Sequence, residues 1–369
     1  MRSFFYLTIV AVVGALGAVT EAQYTVTNLV SDGSIPAAHT DANLLNGWGL
    51  AASPTSFIWS ANNHSGTSTV YDGLGVPQSL VVTVPGVPSG IGSPTGMGFY
   101  GGSGFVVSDG SNSGPARFLF ASEDGSISGW SPSVPPGSTL AHTAVDNSGR
   151  TSIYKGLAMG ADAGQDRLYA ADFHNAAVNV YNSSFGEITT PGAFADANLP
   201  SGYAPFNVAN LGGNIYVTYA LQDATGHDEV AGPGLGYVDA YSPAGTFIAR
   251  LASGGALNAP WGMALAPASF GAFSGDLLVG NFGDGKINAF DPVTGALQGT
   301  LSDPNGNPLV LDGLWGIMFG NGAHNQPTDT LFFDSGPNDE VNGLYGRIDV
   351  VPEPVSMLLA MCLVALRRR

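Results

Sequence analysis

Six times along the chain a short apolar segment centres on a glycine or its equivalent. The copies are Gly47-Trp48-Gly49-Leu50-Ala51, Pro94-Thr95-Gly96-Met97-Gly98, Tyr154-Lys155-Gly156-Leu157-Ala158, Pro205-Phe206-Asn207-Val208-Ala209, Pro260-Trp261-Gly262-Met263-Ala264 and Leu314-Trp315-Gly316-Ile317-Met318. Anchored on Gly49, Gly96, Gly156, Asn207, Gly262 and Gly316, the steps are 47, 60, 51, 55 and 54 residues. A second apolar segment follows in five units, over residues 57–62, 105–109, 168–172, 277–281 and 331–334, and ends in Asn62, Asp109, Asp172, Asn281 or Asp334. The fourth unit departs, with Tyr219 at that place. A third segment alternates and carries an aromatic residue near its end, as in Val178-Asn179-Val180-Tyr181 and Val238-Asp239-Ala240-Tyr241. Alternation with period two is the mark of a half-buried strand. Turns rich in Pro, Gly and Asp, such as Asp291-Pro292-Val293-Thr294-Gly295, separate the segments.

A repeat near fifty residues with four strands per unit is the period of a propeller blade. The pattern therefore predicts an all-β, six-bladed β-propeller over residues 23–350. The sixth unit ends at 345–350 without an outer strand, and the segment 23–30 is a strand with no neighbouring hairpin partner. We expect that N-terminal strand to complete the last blade, because closing the ring leaves fewer exposed sheet edges.

The two ends differ from the body. Met1-Arg2-Ser3 is basic, residues 4–19 are apolar, and Thr20-Glu21-Ala22 offers small residues for cleavage. This reads as a secretory signal peptide over residues 1–22. Residues 351–369 give Val351-Pro352-Glu353-Pro354, an apolar run over 355–366, and Arg367-Arg368-Arg369. The prolines interrupt regular structure, and the arginines favour the cytoplasmic side of a bilayer. As a helix the twelve-residue run would extend roughly 18 Å, shorter than the ~20 residues of a comfortable span. The expected C-terminal element is a short apolar helix.

Pro352, Glu353 and Pro354, then the apolar run, then Arg367, Arg368 and Arg369 resemble the PEP-CTERM sorting signal of bacterial exported proteins. The resemblance implies export machinery and an exosortase-like membrane enzyme as partners. It implies a cell-envelope or extracellular location, with at least transient anchoring by the tail. The repeats, most clearly Leu168-Tyr169-Ala170-Ala171-Asp172-Phe173-His174-Asn175-Ala176-Ala177-Val178-Asn179-Val180-Tyr181, resemble NHL-type six-bladed propellers. The whole body also looks like a bacterial family of uncharacterised proteins, some of which carry the same tail.

Charge narrows the function further. The body has 7 basic and 26 acidic residues, near −19. Nucleic-acid binding is excluded as a leading reading, because neutralising phosphates needs Lys and Arg. The lone cysteine, Cys362, lies in the tail, so the body has no disulfide and no thiolate metal site. No HExxH pair occurs among the six histidines.

Two sets of residues carry candidate chemistry. Asn62, Asp109, Asp172, Asn281 and Asp334 come one from each of five units; if they converge, they form an oxygen-rich ring able to hold Ca²⁺. The competing reading is that they cap turns by bonding to nearby backbone. The longer polar loop Asp223-Ala224-Thr225-Gly226-His227-Asp228-Glu229 lies in the unit that breaks the pattern. Its Asp223, His227, Asp228 and Glu229 are the best-placed binding residues, since inserted loops on rigid scaffolds carry recognition. The leading expectation is a noncatalytic binding or scaffold protein without a cofactor. The alternative is a Ca²⁺-dependent hydrolase or lactonase at the channel, by analogy of fold with propeller lactonases.

Overall fold

The computed structural model describes residues 23–351. The signal-peptide segment 1–22, Pro352, Glu353, Pro354, Arg367, Arg368, Arg369 and the expected apolar helix lie outside the described residues.

Helical structure among the described residues is confined to two 3-10 turns, Ser148–Arg150 and Gly271–Phe273. Everything else regular is strand: six antiparallel blades, a separate two-stranded hairpin, and the short strand His39–Thr40, which runs parallel to Tyr24–Ser31 at the edge of the last blade. The inner strands are Gly47–Ala51, Pro94–Phe99, Tyr154–Asp162, Tyr203–Leu211, Pro260–Leu265 and Leu314–Phe319. Every one of them contains its unit's anchor residue. Blade 3, for example, runs from its inner strand to Gln165–Asp172, Ala177–Asn182 and Glu187–Ile188. In blade 6 the order outward is Leu314–Phe319, Leu331–Ser335, Leu344–Val350 and then Tyr24–Ser31, the first strand of the chain. Tyr24 faces Val350 and Ser31 faces Leu344 across that antiparallel pair.

Packing explains why the anchor is glycine. A methyl group at Gly262 would lie 2.5 Å from the carbonyl oxygen of Trp315, in the next blade. At Gly316 it would lie 2.5 Å from the carbonyl oxygen of Trp48, which closes the ring from blade 6 to blade 1. Gly49 abuts Thr95 in the same manner, Gly96 abuts Leu157, and Gly156 abuts Asn207. Only a residue without Cβ lets adjacent inner strands approach so closely. Asn207 is the exception that fits the rule: its Nδ2 donates to the Trp261 carbonyl at 2.8 Å, so a side chain spans the gap.

The core divides accordingly. One hydrophobic cluster sits between each pair of neighbouring blades, including Leu29, Val30, Phe332 and Tyr345 of blade 6 against Ile58 and Tyr71 of blade 1. A seventh cluster lies on the axis and gathers Trp48, Phe206, Trp261 and Trp315. Each of these four residues immediately precedes its blade's anchor.

One strand differs from its expected place. The second strand of blade 2 is Phe118–Ser122, paired with Pro94–Phe99. Residues 105–109 instead contribute to a separate two-stranded hairpin, Val106–Ser108 with Ser113–Pro115. An apolar stretch ending in Asp satisfies the same local pattern in either position, and long-range pairing decides between them.

Candidate functional site at the channel mouth

The residues preceding the six anchors are Trp48, Thr95, Lys155, Phe206, Trp261 and Trp315. They lie at the same end of the inner strands. Trp48 stacks on Trp315 with centroids 3.7 Å apart, Phe282 stacks on Trp315 from another side at 4.1 Å, and Trp261 meets it edge-on at 5.8 Å. The indole N–H of Trp315 donates to Asn46 Oδ1 and that of Trp261 to the Lys155 carbonyl. These rings plug one end of the channel. Beyond them is a cavity of about 330 Å³ lined by Trp261, Leu50, Val208, Ile317 and the edges of the inner strands.

Lys155 is the only charged residue at that repeat position. Its side chain is 2% exposed. Its Nζ lies 2.6 Å from Glu123 Oε1 and 3.4 Å from Asp228 Oδ1, and 5.2 Å from the centre of the Trp48 ring. An ammonium over an indole face gains from the ring's negative quadrupole. Glu123 comes from blade 2, Asp228 from the long loop of blade 4, and Trp48 from blade 1. Asn63 donates to Glu123 Oε2 at 2.9 Å, and Asn46 donates to Glu340 Oε1 at 2.8 Å.

The electrostatics follow from this crowding. Burial works against the charge on Lys155, but Glu123, Glu229 and Asp228 outweigh it and hold the ammonium above its ordinary value. Burial likewise works against Glu123, yet Lys155 brings its carboxyl below the usual range. Glu229 behaves oppositely: burial pushes it up to about 7, and Glu340 and Asp228 add to the rise against the pull of Lys155. Burial also raises Glu340, while the bond from Asn46 opposes it. The mouth is thus a collar of four carboxyl groups around one sequestered ammonium, on an aromatic floor.

The proposed loop residues reach this collar, with Asp228 in contact and Glu229 within its field. Glu123, His227 and Asp228 each bring a donor atom within 4.8 Å of the others, an arrangement of metal-ligand type. The ammonium of Lys155 touches both Glu123 and Asp228, so it supplies the positive charge that a metal ion would bring. His227 Nδ1 is 2.7 Å from Asp228 Oδ1. Asp223 shapes the loop, accepting the N–H groups of Thr225 and His227 at 3.0 Å each.

The other candidate set is placed differently. Asn62 and Asp334 are fully buried, and Ser60 lies between them, 2.9 Å from Asn62 Oδ1 and 2.6 Å from Asp334 Oδ2. Burial holds the Asp334 carboxyl well above its usual range. Asp172 accepts from Ile153 N and from both nitrogens of Asn175. Asn281 donates to the Ala256 carbonyl and to Asp284. Asp109 is exposed on the inserted hairpin; hydrogen bonds from Asn112 and Ser111 bring its carboxyl down to about 2. Of the five, only Asn62 and Asp334 share a partner, and the rest serve separate turns and blade contacts.

Sequence reasoning passed over Lys155, Glu123 and Glu340. A signal existed for Lys155, the one cation at a position otherwise held by Trp, Phe or Thr. Glu123 follows Ser122, which ends the true second strand of blade 2, so misplacing that strand hid it.

Fold and site together define a closed six-bladed β-propeller with an acidic, lysine-centred channel mouth. No family model matches the chain. It is 32% identical over 324 residues to uncharacterized protein R648 of Acanthamoeba polyphaga mimivirus, covering 87% of this chain and 78% of that protein. With uncharacterized protein L690 of the same virus it shares 31% identity over 340 residues, covering 89% and 86%. The chain belongs to the family of these mimivirus proteins. Similar solved structures include the aldose sugar dehydrogenase of Streptomyces coelicolor in its PQQ-bound form, with TM-score 0.51, 14% identity and coverage of 90% and 99%. An α-L-arabinofuranosidase of Fusarium graminearum gives 0.53, 11%, 88% and 97%. An auxiliary nutrient binding protein of Bacteroides ovatus gives 0.53, 11%, 90% and 78%. These likenesses show the fold, and a fold that hosts two enzymes and a binding protein does not choose among their functions.

Proposed function

We propose that the protein is an exported β-propeller that acts by binding, as a recognition or scaffold component of a cell envelope or extracellular matrix, and that it holds a positively charged ligand at the channel mouth. The observation that carries this reading is the collar around Lys155. Its carboxyl groups outnumber its cation, while Lys155 itself is engaged and above its ordinary value, which disfavours it as a base or nucleophile. A concave acidic site of this kind concentrates cations.

The test is calorimetric titration with an oligolysine peptide at low salt. Binding is expected to weaken about tenfold, or ~1.4 kcal/mol, in Glu229→Gln/Glu340→Gln. The double variant Asp291→Asn/Asp303→Asn removes at least as much negative charge, from turns away from the mouth, and should leave binding unchanged. Equal weakening in both double variants would reduce the effect to net charge and overturn the site.

One observation favours the second reading, a Ca²⁺-dependent hydrolase or lactonase. Glu229, held near 7, has the proton affinity of a general acid or base. Turnover of glucono-δ-lactone that needs calcium and is lost in Glu229→Gln would replace the binding reading.

Export is supported by the signal-peptide pattern of residues 1–22 and by the order of Pro352-Glu353-Pro354, apolar run and Arg367-Arg368-Arg369. That order also supports handling by export machinery and an exosortase-like enzyme. Among the described residues no helix is long and apolar enough to cross a membrane, so tail anchoring rests on the sequence of 351–369 alone. Intact mass and fractionation of the expressed protein check this. Recovery outside the cytoplasm, lacking residues 1–22, is expected; a full-length cytoplasmic product would overturn it.

A further inference from the structure

The outer half of blade 3 is covered less completely than its counterparts. In blades 1, 2, 4 and 5 the third strand is buried at every position, or at all but the first. In blade 3 that strand, Ala177–Asn182, is buried at Tyr181 alone. Its outer neighbour is short. Glu187–Ile188 pairs only with Val180 and Tyr181, whereas the outer strand of blade 4 runs over Phe247–Ser253. A cavity of about 280 Å³ fills the uncovered space between blades 3 and 4. Opposed residues of paired strands share a face, and Arg167, Tyr169 and Ala171 oppose Asn182, Val180 and Val178. Asp162 opposes Gln165, two residues from Arg167, and so joins that face. Val178, Val180, Phe194 and Pro243 give the cavity apolar walls, and Asp162 and Arg167 line it too. The wall from blade 4 is tied down: the Tyr169 hydroxyl donates to the Pro243 carbonyl at 2.9 Å, and Phe194 N–H to the Gly245 carbonyl at 2.8 Å.

We propose that this cavity binds a free α-amino acid with an apolar side chain, with Arg167 holding its carboxylate, Asp162 its ammonium, and Val178, Val180 and Phe194 its side chain. The body has 7 basic residues against 26 acidic ones. Arg150, Lys155, Arg250, Lys286 and Arg347 are in ion pairs. Arg167 is in none among the described residues, despite the excess of acid. Its guanidinium makes one hydrogen bond, from Nη1 to the Asp166 carbonyl at 3.0 Å. Asp162 likewise has no ion pair among the described residues, so the two charges on this face do not neutralise each other. Burial raises the Tyr169 hydroxyl to about 12; Asp162 adds to the rise and Arg167 opposes it, which places both charges beside one ring. The combination selects the ligand. A simple carboxylate would meet Asp162, and a simple amine would meet Arg167. A zwitterion answers both with charge-assisted hydrogen bonds. The volume lies just under the ~300–1,000 Å³ of ordinary small-molecule pockets, which suits a single amino acid over a peptide. Lys155 stands near the start of the inner strand Tyr154–Asp162 and Asp162 at its end, so the site is separate from the channel mouth.

Equilibrium dialysis of the full chain against radiolabelled L-leucine at pH 7 tests this. Saturable binding is expected. Three unlabelled competitors dissect it on the wild type, so no variant need fold. 4-Methylpentanoate lacks the ammonium, 3-methylbutylamine lacks the carboxylate, and glycine lacks the side chain. Each should compete about tenfold less well than leucine, the loss expected for one charge-assisted hydrogen bond or one buried apolar side chain. Arg167→Gln and Asp162→Asn should each weaken leucine binding by a similar factor. Arg117→Gln removes an equal charge from a cation on blade 2 that donates to the Gly102 carbonyl, and should leave binding unchanged. Absence of saturable binding, or a competitor lacking one charge that matches leucine, would overturn the proposal. So would a leucyl tripeptide that competes better than leucine, since the cavity would then be a peptide cleft.

Discussion

Lys155→Met should destabilise the propeller by about 3–5 kcal/mol at pH 8, the range found when one partner of a buried ion pair is removed. Lys155 is the charge against which Glu123 is held at 2.6 Å and Asp228 at 3.4 Å. Without it, four carboxyl groups face one another across an aromatic floor. The loss should shrink towards pH 4. Glu123 is held below its usual range in the folded state, so its favourable contribution is present above the ordinary carboxyl value of ~4.3 and fades as pH falls through the folded value. In the variant the carboxyls can also take up protons and discharge the collar. Urea unfolding at pH 8 and pH 4 measures both effects. Lys155→Met/Glu123→Gln should recover part of the loss at pH 8, because the uncompensated charge goes with the ammonium. A single variant as stable as wild type at pH 8 would mean that the collar is solvated and structurally idle.

Gly262→Ala should cost about 3 kcal/mol, at the upper end of overpacking penalties. The added methyl would press on the Trp315 carbonyl oxygen at 2.5 Å. That oxygen belongs to an inner strand, so it cannot swing aside as a side chain would. Moving the strand disturbs the next contact, where Gly316 bears on the Trp48 carbonyl. A closed ring offers no free end to absorb the shift. Gly149→Ala is the control: nothing lies within 4 Å of its methyl position, and the change should be near neutral. Equal urea midpoints for the two variants would show that the inner strands are not in tight register.

The anchors were legible in the sequence because close approach of backbones recurs once per blade and imposes the same residue each time. Asn207 interrupts the series and could be placed only by its period, and the structure then gives its purpose in the bond to Trp261. Blade 2 shows the limit. Residues 105–109 and 118–122 both satisfy an apolar strand pattern, and the 60-residue step to blade 3 has room for both. Only pairing with Pro94–Phe99 selects the second. The oxygen-ring expectation relied on that alignment and on the idea that equivalent positions converge. In the fold, Asn62 and Asp334 meet through Ser60, Asp172 and Asn281 bond to loops near their own strand ends, and the buried Oδ1 atoms of Asn281 and Asp334 have no hydrogen-bond partner among the described residues. The loop 223–229 was legible as an interruption, since its composition and length differ from the turns around it. Its contacts were not, because Lys155 is 73 residues from Asp228 and 32 from Glu123.

The sequence by itself determined the number of blades, the inner strand of each and the glycines on which the ring closes, since these depend on local alternation and on a repeated steric demand. Only the tertiary structure decided that one lysine at a repeat position would be enclosed by carboxyl groups from separate blades. Charge-to-charge distance is set by closure of the ring, and residues far apart in the chain carry no local mark of the field they will share.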